Sequence, residues 1–581
     1  MKFILSVIFL VSAAVYSNEI VYTDPVNGAE FISIENTIVI GFLRQVNYDD
    51  AAGNFSVTGT LSGNHTGMLL LAENGKKIIF QPETPFSLNE VVTVKLNGKL
   101  SKFSKAGTKF SEFSFRTTPR VIKFDPVEGL ERETGISINR TGIGMLAPPP
   151  VLNVTINNSP SAGSLFFAPF SVAAYITILN NNGTAYWSQQ RSTSAFDFKK
   201  QTNGNLTFFA NNPPRFVEMN SSYDTIHTYR CGNGYTTDLH ELQILASGNA
   251  LLMAYDPQPV DMSQIVPGGR PNATVIGLII QEIDQQNNVL FQWRSWDHML
   301  ITDATQEDLT DSLIDYVHGN AIELDNDNNI LISSRHIDEI TKINRTTGNI
   351  MWRLGGKNNM FTILNDTMRF SHQHDIRRID NGNITFFDNG SFRFPEYSRA
   401  VEYSLDEVNH TATLVWQYQR NPQVVSSWGG NVQRLPNGNT FIAWGGAVNT
   451  VTEVKPDGTS VFEASYTPGV FTYRGFKDTW PHVPTAIDPV NNTSSEFRLL
   501  QNYPNPFNPS TTIRFNLDKA GKTSIVLYNV TGEEVKTYFN GYLETGFHTL
   551  TINGSGLASG VYFCRLVSGS NSAVSKMMLV K

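Results

Sequence analysis

Residues 370–390 read FSHQHDIRRIDNGNITFFDNG. His372, His374 and Asp375 stand just before an alternating segment. A tight Asn-Gly turn follows, then an apolar run, Ile384 to Phe387, that ends on Asp388-Asn389-Gly390. Asn-Gly between alternating segments is a strong hairpin signal. The stretch therefore predicts two paired strands, with the histidines near the start of the first and Asp388 and Asn389 where the second ends. The same turn recurs at Gly204-Asn205, Gly248-Asn249, Asn328-Asn329 and Gly438-Asn439. Between these turns lie strands carrying Trp or Phe: GTAYW (183–187), NVLFQW (288–293), NIMWRL (349–354), TLVWQY (413–418) and TSVFEA (459–464). Two hairpins per repeat make four strands, and Asn329, Asn383 and Asn439 are spaced by 54 and 56 residues. A four-stranded repeat of that length is a propeller blade. The expectation is an all-β chain with a six-bladed β-propeller over residues 149–480, its sixth blade closed by segments near 120–170 and 465–480. The longer interval from Asn249 to Asn329 is read as an excursion, Trp293 to Val317, over one end of the propeller.

With 581 residues, 40% hydrophobic and 17% charged, the chain has the composition of a folded protein of several domains. The net charge of -8 and a pI near 5.8 argue against nucleic acid as a partner. The first 17 residues, MKFILSVIFLVSAAVYS, have a lysine, a short apolar run and small residues, the pattern of a secretory signal peptide. No later segment is apolar enough to span a bilayer, so an exported, soluble protein is expected. Two cysteines, Cys231 and Cys564, lie far apart and predict no disulfide framework.

Residues 18–117 alternate as short strands with frequent turn signals and predict a β-sandwich. Their opening Asp24-Pro25-Val26-Asn27-Gly28 and the later Phe80-Gln81-Pro82 resemble bacterial Ig-like domains. Residues 118–148, with Asp125-Pro126 inside them, are read as a linker plus the first strands of the next domain. Residues 481–496 are a second linker. Residues 497–581 form a C-terminal β-sandwich that opens on NYPNPFNPSTTIRFNL (502–517). With LASGVYF (557–563), this stretch resembles the C-terminal sorting domain of type IX secretion substrates of Gram-negative bacteria. The resemblance implies the type IX machinery as a partner and export to the cell surface or medium.

His240 and His374 each lie nine residues before a turn asparagine, Asn249 and Asn383, and His318 lies eleven before Asn329. Equivalent positions on neighbouring blades meet near the axis of a propeller, so three imidazoles are expected to face one cavity. Arg335, Asn320, Asp388 and Asn389 belong to the same rim, and a guanidinium fork suits a tetrahedral oxyanion. A three-histidine metal site competes for the same residues; the expectation is no metal and no dissociable cofactor. Asp325-Asn326-Asp327-Asn328-Asn329 lacks the glycine and glutamate of a calcium loop and is read as a turn.

The segments DLHELQ (238–243), SWDHM (295–299), DYVHGNAIELD (315–325), ILISSRH (330–336), IMWRLGG (350–356), FSHQHDIR (370–377) and FFDNG (386–390) resemble the arylsulfotransferase family. The resemblance implies transfer of a sulfuryl group from an aryl sulfate donor to a phenolic acceptor through a transiently sulfated histidine. Carried over, His374 is the nucleophile, and His240, His318 and Arg335 complete the catalytic set. Asn320, Asp388, Asn389, His298, His336 and His372 are assigned to substrate binding, which leaves open which of His372 and His374 acts. Two other functions fit the same residues: a non-catalytic surface module that binds sulfated glycans or other ligands, and a metal-dependent hydrolase.

Overall fold

The computed structural model describes residues 19–105, 107–138, 149–170, 174–191, 193–447, 450–480, 497–500, 502, 505–543 and 546–580. The stretches read as a signal peptide, 1–17, and as a linker, 481–496, lie outside the described residues. The chain is all-β apart from short helices, and it divides into two units, 1–481 and 482–581.

In the first unit, two four-stranded antiparallel sheets between Ile20 and Arg116 enclose a core of Ile38, Ile40, Phe80, Val92, Val94, Phe113 and Phe115. This is the sandwich expected from the alternation. Six further sheets follow, antiparallel except where Leu313–Asp315 and Thr362–Leu364 each add a parallel strand. Each has an edge strand at one end of its order: β1 (Ala195–Lys200), β2 (Thr237–Ile244), β3 (Gly319–Leu324), β4 (His374–Arg378), β5 (Asn431–Arg434) and β6 (Gly475–Asp478). The five repeated turns join β1 to β5 to the next strand of their own sheets. Gly382, with φ +86°, shows why glycine stands in such a turn. The edge strands pack in order, each against the next, and β6 packs against β1. No sheet closes on itself. Two sheets join distant parts of the chain: Ser164–Phe167 pairs with β6, and Leu152–Asn157 pairs with Ser460–Tyr466.

Residues 118–138 depart from the reading as linker and first strands. They contain a helix, α1 (Pro126–Thr134). The local signals explain it. The Asp125 side chain accepts from the Val127 and Glu128 amides, Pro126 takes the first helical position, and Gly135 ends the helix at φ +67°. Val127 and Leu130 are buried with Leu239, Phe216 and Tyr473 of the sheets. Each contributes about 1.5–3 kcal/mol by burial, so α1 is firmly docked.

The sandwich docks on the sheet containing β2 through a buried polar seam. The Tyr22 hydroxyl donates to the Gln292 carbonyl at 2.7 Å, and the Gln292 side chain donates to Asp24 at 3.2 Å. Burial, against the opposing pull of Arg294, raises Asp24 to about 7. The folded state therefore holds a proton that an unfolded aspartate releases near pH 4. This contribution to stability is complete below that value and is lost as pH rises to about 7. We expect Asp24→Asn to flatten the fall. Relative to wild type, the variant gains on the order of a few kcal/mol between pH 5 and pH 8, as read from denaturant midpoints.

The second unit forms two sheets around Phe507, Ile513, Phe515, Leu527, Leu566 and Met577. Asn502 donates to the Thr511 hydroxyl at 2.9 Å, which ties the opening motif to the strand after it. Cys231 and Cys564 are free thiols. Among the described residues, no helix is long and apolar enough to cross a membrane.

Candidate active centre

Three consecutive edge strands position the histidines. His240 lies within β2, His374 opens β4 and His318 immediately precedes β3. Pairing register shifts beside each one, between Thr237 and Leu242, His374 and Arg377, and Gly319 and Ala321. Such bulges re-aim neighbouring side chains. His318 itself has φ +50°.

Each ring is clamped through Nδ1. Asp238 Oδ1 accepts the His240 backbone N–H at 2.9 Å and lies 2.6 Å from its Nδ1. Asp315 repeats the device on His318, at 3.1 and 2.7 Å. His374 Nδ1 lies 2.7 Å from Asn389 Oδ1 and 3.1 Å from the His372 carbonyl. Asn389 spends its amide nitrogen on the carbonyls of Ser426 and Gly429, at 2.9 and 3.1 Å, which fixes its oxygen toward His374. Both atoms facing Nδ1 are acceptors, so Nδ1 carries the proton and Nε2 keeps its lone pair. The Gly429 N–H donates to that Nε2 at 3.3 Å.

The three Nε2 atoms converge on one carboxylate, Glu133 of α1. The separations are 3.3 Å for His374, 3.5 Å for His318 and 3.7 Å for His240. Arg335 Nε lies 3.9 Å away, and the Tyr473 hydroxyl donates to the same carboxylate at 3.3 Å.

The electrostatics separate the rings by role. Burial, with the Arg335 charge adding, pushes His374 down to about 4 despite Glu133 and Asn389, so it is neutral near pH 7. Burial opposes charging of His318, but Asp315 and Glu133 outweigh it and raise it to about 10. His240 is raised against burial by Asp238 and Glu133. Burial would raise Glu133, but the neighbouring histidines, the His318 charge foremost, hold it well below the usual carboxylate range. The result is one neutral imidazole facing an edge of positive charge. Glu133, His240 and His318 each also bring one ligand atom within 4.8 Å of the others, as do Asp315, His318 and His336.

The remaining candidates divide. Asn320 does not face the centre with its amide; it donates to the Gln373 carbonyl at 2.8 Å and accepts from the Asp375 N–H at 3.4 Å, bracketing His374. Asp388 is spent on Arg393 and Arg399, at 2.6 and 2.7 Å, and on the Ser371 amide. Arg335 donates to His336 Nε2 and to the Ser427 carbonyl, at 2.5 and 3.1 Å. His336 packs 4.6 Å from the His318 ring, and burial holds it well below its ordinary value. His372 turns toward the rim, with Nδ1 3.0 Å from Asp338 and its ring 5.0 Å from exposed Phe392. His298 stacks on Trp293 at 5.2 Å and does not join the cluster.

Sequence reasoning missed Glu133, Tyr473, Asp238 and Asp315. The last two had a signal, an aspartate two or three residues before a histidine in DLH and DYVH. Arg474 was missed as well. From β6's leading end it donates to the carbonyls of His240 and Asn320, at 3.0 and 2.5 Å.

The fold and centre define an all-β protein whose neighbouring sheets, within the 1–481 unit, hold a buried histidine–arginine cluster. Residues 198–467 match the family Arylsulfotransferase (ASST), residues 501–581 the Secretion system C-terminal sorting domain, and residues 17–117 the Bacterial Ig-like domain. In chain order, the stretch similar to the Ig-like domain comes first, the stretch similar to arylsulfotransferases second and the stretch similar to the sorting domain last. A curated relative, arylsulfate sulfotransferase AssT of Lelliottia amnigena, is 31% identical over 113 residues, 18% of this chain and 19% of the relative. The chain therefore spans about a fifth of that relative's length. A protein of unknown function from Bacteroides caccae aligns over 54% of this chain and 99% of its own, at 13% identity and a TM-score of 0.35. Virginiamycin B lyase from Staphylococcus aureus aligns over 55% and 88%, at 9% identity and a TM-score of 0.29.

Proposed function

We propose that this protein is an exported aryl-sulfate sulfotransferase that acts through a sulfated His374. The observation that carries the reading is the tautomer of His374: Asn389 and the His372 carbonyl accept from Nδ1–H, leaving a neutral Nε2 lone pair that faces Glu133, on which His318, His240, Arg335 and Tyr473 also converge. Neutral imidazole is a competent nucleophile. Nε2 attacks sulfur, the N–S bond forms, and the S–O bond to the aryl group breaks, with its electron pair leaving on the phenolate. The cationic edge supplies that phenolate's proton and stabilises charge on the sulfuryl oxygens, an effect worth on the order of 10²–10³-fold per well-placed donor. The acceptor phenol then attacks sulfur, its proton returns to the edge, and the N–S bond breaks. Neither step requires an oxidant or a carrier.

The reading includes the propeller: the six sheets act as blades, and the cyclic packing of β1 to β6 supports that arrangement. It also includes export by the type IX route, supported by the sorting domain. The donor is an aryl sulfate and the acceptor a phenol; nucleic acid has no place in the scheme.

Incubation with 4-nitrophenyl sulfate in the absence of acceptor, followed by peptide mass spectrometry, tests the reading. Sulfate is expected on the peptide bearing His374; release of nitrophenol with no sulfated histidine would refute the covalent step. Asn389→Ala frees the ring and is expected to lower kcat about 10²-fold, the usual cost of a misplacement near 1 Å, with KM for the donor little changed.

A further inference from the structure

Glu133 stands where the sulfur of a donor must go. Its Oε1 lies 3.3 Å from His374 Nε2, the ring nitrogen that keeps its lone pair. The side chain is 2% exposed and comes from α1, outside the stretch that matches the arylsulfotransferase family. Nothing in the helix explains a carboxylate there. It sits in the last turn, where the helix dipole disfavours an anion. The cage explains it.

Yet the cage does not fit a carboxylate closely. Its donors, Tyr473, His318, His240 and Arg335, approach at 3.3–3.9 Å, whereas charge-assisted N–H···O bonds close to about 2.7–2.9 Å. The same histidines do close to 2.6 and 2.7 Å on Asp238 and Asp315. His240 Nε2, His318 Nε2, Arg335 Nε and Glu133 Oε2 are all buried and lack hydrogen-bond partners. Donors held this far out surround a volume larger than a carboxylate, as a tetrahedral oxyanion needs.

We propose that Glu133 is a resident anion that fills the sulfuryl seat of the resting protein and sets which anions enter, so that a donor must displace it. The proposal rests on the sulfuryl-transfer reading for its biological meaning, and on the cage alone for its geometry. Because α1 is anchored by Val127 and Leu130, the movement is a swing of the Glu133 side chain about its own torsions, not a withdrawal of the helix. The consequence is specificity. Inorganic sulfate brings only its charge and cannot repay the loss of the cage contacts to Glu133. An aryl sulfate adds the contacts of its ring.

The test is calorimetric titration of the full-length protein with sodium sulfate, which needs no turnover. Wild type is expected to bind sulfate weakly and Glu133→Gln at least tenfold more tightly, with inorganic sulfate becoming an inhibitor of any transfer the variant performs. Glu133→Asp, whose carboxylate is drawn back from Nε2, falls between. Adding Arg335→Gln to Glu133→Gln removes the gain, which places the bound sulfate in this cage. Equal or weaker sulfate binding by a Glu133→Gln protein that melts like wild type overturns the proposal. So does tight zinc binding by wild type that Glu133→Gln abolishes, because Glu133 is then a metal ligand with His240 and His318. If Glu133→Gln does not fold, Glu133→Asp alone carries the comparison. A sulfate gain without any sulfated His374 leaves the resident anion standing and removes the transfer reading; sulfated His374 without a sulfate gain does the reverse.

Discussion

His374→Ala is expected to lower kcat/KM for 4-nitrophenyl sulfate by at least about 10³-fold, the scale at which a lost nucleophile is felt in covalent catalysis. His372→Ala is expected to stay within about tenfold of wild type. The two residues sit two positions apart on the same segment, and nothing in the FSHQHD spelling separates them. Backbone geometry does. His372 has φ +54° and sends its ring toward the rim, with Nδ1 on Asp338. His374 opens β4, and a bulge turns its ring inward to Asn389, the Gly429 amide and Glu133. A nitrophenol-release assay on both variants, checked by melting for intact folding, decides between them. Equal losses would show that the rim histidine also touches the donor, and a loss confined to His372 would reverse the assignment. A loss in KM alone for His374→Ala would reduce it to a binding residue.

The repeat was legible because turns obey local chemistry. Every Asn-Gly or Asn-Asn turn used to mark a unit joins an edge strand to its neighbour, since left-handed backbone demands those residues wherever they occur. Histidine register along the strands was legible for the same reason, and it placed His240, His318 and His374 around one centre. What could not be read was any partner arriving from another part of the chain. Glu133 lies more than a hundred residues before the first histidine it meets, in a segment whose Asp-Pro was taken as a linker signal although it also caps a helix. Spacing alone puts Asn320 and Asp388 on one rim, whereas Asn320 is spent on the backbone beside His374 and Asp388 on Arg393 and Arg399. Whether an amide or carboxylate faces a cavity or a neighbouring backbone depends on rotamer and bulge, and neither is visible in residue spacing. His298 shows the opposite error. Its SWDHM segment carries a family resemblance, yet the ring is taken up by Trp293.

Arg474→Met is expected to destabilise the 1–481 unit by about 3–5 kcal/mol, the cost of breaking a buried ion pair from one side. Its guanidinium is 1% exposed and lies 2.9 Å from Glu241, 3.2 Å from Asp197 and 3.7 Å from Asp375. Lys199 and Arg377 share these carboxylates. Removing Arg474 leaves three buried acids with two cations, and it also strips hydrogen bonds from the carbonyls of His240 and Asn320. Arg474→Lys is expected to recover little, because a single ammonium cannot reach both carbonyls and the acids that the planar fork spans. Lys99→Ala sets the scale for an ordinary pair. Lys99 meets Asp50 at 2.6 Å on the exposed surface of the sandwich, where solvent screening leaves such a pair little to contribute. Urea denaturation followed by the signal of the 1–481 unit compares the three. If Arg474→Met unfolds at the wild-type midpoint, these buried charges are able to rearrange, and the edge strands are then held by packing alone. If it unfolds early while Lys99→Ala does not, the charge cluster beneath the histidines is what fixes the edge strands at the spacing the chemistry needs.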